Sequence, residues 1–180
     1  MSNIDTQNEI DDEEALMQDV GDQVKEEYLT FLLGGEEYGV DILSVQEIRG
    51  WDTVTRIPNT AKYIKGVMNL RGAIVPILDL RERFDLENKE MTATTVVIVV
   101  RICAADVEKV TGFVVDGVSG VVETTVGDIK VAPAFGKGVN TEFIKGLVSN
   151  NDAMVMLLDI AKLLHSEGLL KSADEQMETA

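Results

Sequence analysis

The stretch YIKGVMNLRGAIVPILDLRERF, Tyr63 to Phe84, recurs as FIKGLVSNNDAMVMLLDIAKLL, Phe143 to Leu164. Laid over each other without a gap, Ile64, Lys65, Gly66, Ala73, Val75, Leu78 and Asp79 coincide with Ile144, Lys145, Gly146, Ala153, Val155, Leu158 and Asp159, an offset of 80. Upstream, Val40, Asp41, Ser44 and Pro58 coincide with Val115, Asp116, Ser119 and Pro133 at an offset of 75, so an insertion is expected around AFGKGVN, residues 134–140. A repeat this long exceeds a solenoid unit and reads as two copies of one small β-rich module.

Each copy opens with a strand pair: YLTFLL and YGVDIL around GGEE in the first, TTVVIVVRI and GFVVDGV in the second. Val, Ile, Phe and Tyr bounded by glycine turns are strand chemistry. SVQEIRG follows in the first copy and reads as a single helical turn that packs Val45 and Ile48 inward. Then come a proline connector, the IKG element and a hairpin whose second arm is AIVPIL or AMVMLL. Pro76 lacks an N–H, so its strand is expected at an edge or with a bulge. Asp79 is placed to cap a short helix, with Glu82 at capping-box spacing, and Asp159 to cap another that Gly168 closes. A module of ~60–70 residues buries too little alone, so the copies should share one core. The apolar run Val96 to Val100 suits a strand buried on both faces there. The expected class is all-β: two five-stranded subdomains, about residues 28–90 and 91–160, with chain exchange between them left open, plus short helices and a C-terminal helix.

Outside this core, residues 1–27 carry Asp5, Glu9, Asp11, Asp12, Glu13, Glu14, Asp19, Asp22, Glu26 and Glu27 against Lys25 alone. Such a segment reads as a disordered, solvating tail, with an acidic interaction arm as the alternative. Residues 169–180 read as a second flexible tail. A formal charge of −16 repels nucleic acid and anionic lipid, which makes both poor partners, so neither nucleic-acid binding nor direct membrane insertion is expected. The start of the chain lacks a basic and an apolar region of signal-peptide type, and no apolar run approaches the roughly 20 residues of a membrane helix. Cys103, in an apolar stretch, reads as a small buried hydrophobe. The expected location is the cytoplasm.

Catalytic chemistry finds no constellation. His165 falls near the end of the last helix, where a solvated or capping role fits, and neither it nor Cys103 has metal-ligand company. Lys65-Gly66 and Lys145-Gly146 lack the preceding glycine loop of a phosphate site. Asp41 and Asp116 repeat in both copies, which favours a turn role. The expectation is therefore no enzyme, no metal and no cofactor. Function is sought where the copies depart: Arg71 faces Asn151 on a turn, and Val45-Gln46-Glu47-Ile48 is peculiar to the first copy. A displayed arginine is a frequent interface anchor.

The string EEYGVDILSVQEIRG, followed by TRIPNTAKYIKGVMNLRGAIVPILDLR, closely resembles the CheW family of chemotaxis coupling proteins, and TTVVIVV and GFVVDGVSGVV continue the match over Tyr28 to Leu164. The resemblance implies two SH3-like β-barrels and an adaptor without catalytic activity. Such an adaptor bridges the cytoplasmic tips of methyl-accepting receptors to the regulatory domain of the histidine kinase CheA, recruited to arrays at the inner face of the membrane. Carried over by position, the receptor-facing groove would include Val45, Glu47, Gly66, Arg71, Val96 and Val97. Arg71 would anchor, Glu47 make a charged contact, and the valines form an apolar slot. The kinase or ring contact would fall in IKVAPAF, at Lys130 and Phe135, where Ala134 departs from a common acidic residue. The loop ICAADVEKVTG is longer than the familiar family pattern. Two other readings stand beside coupling: an array ring-filling component without receptor coupling, and a small-ligand-binding or enzymatic β-domain using the inter-barrel cleft.

Overall fold

The computed structural model describes residues 24–87, 90–104, 106–133 and 141–168. The strands are β1 (Lys25–Leu33), β2 (Glu36–Asp41), β3 (Val45–Gly50), β4 (Ile64–Leu70), β5 (Ala73–Asp79), β6 (Val96–Ala104), β7 (Val107–Val115), β8 (Gly117–Thr125), β9 (Ile144–Asn150) and β10 (Ala153–Leu158). Helix α1 (Leu80–Arg83) follows β5 and α2 (Ile160–Ser166) follows β10.

The two five-stranded sheets run β8-β1-β2-β10-β9 and β3-β6-β7-β5-β4. Renumbering each strand by its counterpart in the other copy turns one order into the other, so the fold has the twofold pattern that the repeat implies. The division into 28–90 and 91–160 is nevertheless not the division into sheets. Each opening hairpin joins the other copy's sheet: β2 pairs in parallel with β10 and β7 with β5. Chain exchange is thus built into the fold, giving two SH3-like barrels that neither copy completes alone. Each barrel closes through its connector: Thr55 and Val67 exchange backbone hydrogen bonds of 3.0 and 2.9 Å, and Lys130 and Leu147 bonds of 2.9 and 2.8 Å.

β6 shows how one apolar run serves two cores. Its side chains alternate, so Val97 and Val99 point into one barrel while Ile98 and Val100 join Phe31, Leu33, Phe113 and Leu80 between the barrels. Each such burial is worth about 1.5–3 kcal/mol against exposure. The same alternation corrects the reading of Cys103. Opposite Glu108, it falls on the Val97–Val99 face past the end of that barrel core and is exposed, while its neighbours Ile102 and Ala104 pack on the other face.

Several local expectations are also corrected. Val45 to Gly50 is the edge strand β3 rather than a helical turn, and the turn lies upstream at Ile42–Ser44, where Asp41 Oδ1 accepts from Leu43 N at 2.9 Å. Period-2 pairing against β6 wins there, and Ile48 stays 45% exposed. β5 is not an edge strand. Pro76 needs no bulge because only β4 pairs with it; pairing with β7 begins at Ile77. β1 starts at Lys25, inside the stretch read as tail, because Lys25 pairs with Glu123 and Glu26 with Tyr28 and Lys145.

Asp79 and Asp159 cap α1 and α2, accepting from Arg81 N and Lys162 N at 3.0 Å. The backbone N–H of each goes to Tyr63 O or Phe143 O at 2.7 Å, so no capping box forms and Glu82 pairs with Lys65 at 2.5 Å. Arg81, 1% exposed, takes the place that Ala161 has in the other copy. Its guanidinium bonds Asp79 at 3.0 and 2.7 Å and reaches Asp116 at 3.4 Å, while Asp116 accepts Gly34 N at 2.9 Å. Asp116 therefore has the structural turn role, and Arg81 links the two sheets through it. At the end of α2, Glu167 bonds Tyr63 and Arg83, holding the helix against the first copy. Burial pushes the Glu167 carboxyl above its ordinary pKa. His165 is exposed in the last turn, and Gly168, at φ +67°, donates to His165 O.

Candidate functional site

The turn between β4 and β5 places Arg71 at φ +51° and Gly72 at φ +88°. Two successive positive φ angles make the tight hairpin turn whose twist matches its strands. Asn69 Oδ1 accepts from Gly72 N at 2.8 Å and fixes it. The other copy fills the same positions with Asn151 and Asp152, residue types that tolerate this backbone region. An arginine there costs on the order of 1 kcal/mol, a strain that the turn itself does not require.

Arg71's side chain is 84% exposed, and its Nη2 lies 3.1 Å from Glu47 Oε2. Glu47 projects from β3 just past the bulge between Val45 and Glu47, with 21% of its side chain accessible, and its Oε1 is 3.6 Å from Arg49 Nη1. Barrel closure brings β3 and the β4–β5 turn together, so residues 24 apart form one charged spot. Arg49, two residues from Glu47 on the same strand, completes it. A helical turn over this segment hides it in the sequence; strand periodicity puts it on Glu47's face.

The remaining expected contacts separate. Val45 is half-buried on β3 opposite Val100, whereas Val96, also half-buried, pairs with Gly50 at the other end of the ladder. Four residues of strand put them about 13 Å apart, so they do not form one slot. Val97 is fully buried inside the barrel and its side chain cannot touch a partner. Gly66 is buried at φ +142°, and a Cβ there would lie 2.1 Å from Thr55 O. Gly146 occupies the same place in the other barrel, 2.9 Å from Lys130 O by the same measure. Both glycines let the connector close its barrel, which is a structural role. Lys130 is exposed while its backbone closes the second barrel; Phe135 and Ala134 lie outside the described residues.

No group of three or more His, Cys, Asp or Glu side chains that could hold a metal occurs among the described residues, and none of the described helices is long and apolar enough to cross a membrane. The exposed Arg71–Glu47–Arg49 spot offers donors and a carboxylate for recognition.

The family model described as a CheW-like domain matches residues 27–168. The chemotaxis protein CheW of Klebsiella aerogenes is 51% identical over 147 residues, covering 82% of this chain and 86% of the relative. That of Bacillus subtilis is 30% identical over 151 residues, covering 84% and 94%. Among solved structures, the crystal structure of the scaffolding protein TtCheW from Thermoanaerobacter tengcongensis superposes with a TM-score of 0.68 at 29% identity, covering 76% of this chain and 86% of that one.

Proposed function

The chain belongs to the CheW-like family of chemotaxis scaffold proteins, and on that premise we propose that it is a non-enzymatic adaptor coupling methyl-accepting receptors to the kinase CheA. It would work in the cytoplasm, in arrays at the inner face of the membrane. The observation that carries this reading is the strained, exposed Arg71 set against Glu47 in a chain half identical to a chemotaxis protein CheW.

In this reading Arg71 presents fixed guanidinium donors to the receptor tip, and Glu47 holds them in place from β3. The half-buried Val45 packs on the core between the barrels, on the other face of β3 from Glu47, and in this reading its accessible edge supplies apolar contact to a helical surface. Val96 belongs to a separate point on the same face, and Lys130 with Phe135 to a second surface for the kinase's regulatory domain. Individually modest contacts are summed by multivalency within the array.

The test is a reconstituted kinase assay with CheA, receptor-bearing membranes and this protein, with and without attractant. Receptor-controlled kinase activity that requires the protein is the expected result. Kinase binding without receptor control would instead support the ring-filling role, and binding to neither would sink the adaptor reading.

A further inference from the structure

The connector after β3, the start of β4 and α1 enclose an open cleft of about 390 Å³, lined in part by Arg56, Ile57, Lys62, Ile64, Lys65 and Glu82. Lys65 is engaged, with its Nζ 2.5 Å from Glu82 Oε1 and 3.9 Å from Asp79 Oδ2. Arg56 and Lys62 are exposed, and no carboxylate pairs with either among the described residues. Glu82 is the acid among these lining residues and Asp79 is balanced by Arg81, so the three cations leave a local excess of positive charge in a chain of −16. The barrel does not need them: the other copy has Val131 in the place of Arg56 and Glu142 in the place of Lys62.

The complementary charge lies in the same chain. Residues 1–23 hold acids and neither Lys nor Arg, with a continuous run at Asp11, Asp12, Glu13 and Glu14. That run precedes Val24 by ten to thirteen residues, a reach of roughly 33–43 Å when extended. A domain of this size has a radius of gyration of about 15 Å, so the run can sweep a large part of the surface around Val24. Tethering also keeps its local concentration in the millimolar range.

We propose that the cleft between the β3–β4 connector and α1 is the docking site of the chain's own acidic run Asp11–Glu14, held by Arg56 and Lys62. The run is then a tethered competitor for any acidic partner that approaches this face. The inference does not depend on the adaptor reading.

The test uses the full chain with Cys103→Ser and a nitroxide label on Asn8→Cys, followed by amide NMR. At low salt, amides of the connector and of Ile64 to Gly66 are expected to lose most of their intensity relative to the reduced label. They should regain it in about 1 M salt, where the screening length falls to about 3 Å. The double variant Arg56→Gln, Lys62→Gln should abolish the loss; both side chains are exposed and unpaired, so the fold is kept. Neutralising the run itself (Asp11→Asn, Asp12→Asn, Glu13→Gln, Glu14→Gln) should do the same without touching the domain. Broadening that is absent, lies elsewhere, or persists in either variant would overturn the proposal.

Discussion

Replacing Arg71 by glutamate reverses the charge at the tip of the β4–β5 turn while leaving every buried contact in place. The side chain is 84% exposed and, among the described residues, pairs with Glu47 alone, at 3.1 Å, so the lost ion pair is worth at most about 1 kcal/mol. Two carboxylates about 4 Å apart in water add repulsion of about 1 kcal/mol. For a chain of this size each kcal/mol moves the melting temperature by about 2–4 °C, so a fall of no more than about 8 °C is expected. Binding should respond far more. An arginine anchor costs about 2 kcal/mol or more on truncation, which is roughly a 30-fold loss of affinity for receptor-bearing membranes. Co-sedimentation with those membranes, beside a thermal melt, separates the two effects. The charge-swapped double variant Glu47→Arg, Arg71→Glu then rebuilds the pair. Affinity that stays low shows that the partner reads Arg71 itself, whereas full recovery shows that only the pair matters. Arg71→Glu affinity within about twofold of the unaltered chain would refute the reasoning, because a readable anchor costs more than 0.4 kcal/mol.

Four further outcomes follow from the packing. Arg81→Met leaves the buried Asp79 its backbone cap bond but, among the described residues, Lys65 at 3.9 Å as the one remaining cation, and denaturant unfolding should show a loss of about 3–5 kcal/mol. Gly66→Ala drives a Cβ against Thr55 O and forces alanine to φ +142°; a loss above about 2 kcal/mol in the same assay is expected, by mis-closing the barrel rather than by removing a contact. Val97→Ala leaves a cavity and should cost about 2 kcal/mol of stability while the folded protein keeps its receptor affinity; a selective binding loss would return Val97 to the interface. Glu167 has a folded-state pKa raised by burial, so the native state holds its proton more tightly than the unfolded chain. Its contribution is then fullest below the ordinary glutamate pKa of about 4.3 and declines as pH rises through the folded value. The stability gap between the unaltered chain and Glu167→Gln should accordingly move against the unaltered chain from pH 4 to pH 7, and a gap that moves the other way would show that Arg83 and Tyr63 outweigh burial.

What the sequence determined by itself was the part written in short-range chemistry and repetition. The alignment of Tyr63–Phe84 with Phe143–Leu164 announced two equivalent modules. The Asp79 and Asp159 caps, the glycine turns and the doubly buried strand at Val97–Val100 each depend on neighbours along the chain or on an apolar run too long to leave a face free. Arg71 on its turn was legible for the same reason, as a departure from its own copy. Tertiary structure alone decided which strands share a sheet, because parallel pairing of β2 with β10 and of β7 with β5 joins segments that no local pattern links. It also decided that β3 is a strand, since six residues take their conformation from the ladder offered by β6. The meeting of Arg71 with Glu47, the retreat of Val97 into the barrel and the exposure of Cys103 follow from that closure. Side-chain direction alternates along a strand, so whether a residue faces core or water depends on register, and register is set by the partner strand rather than by the residue itself.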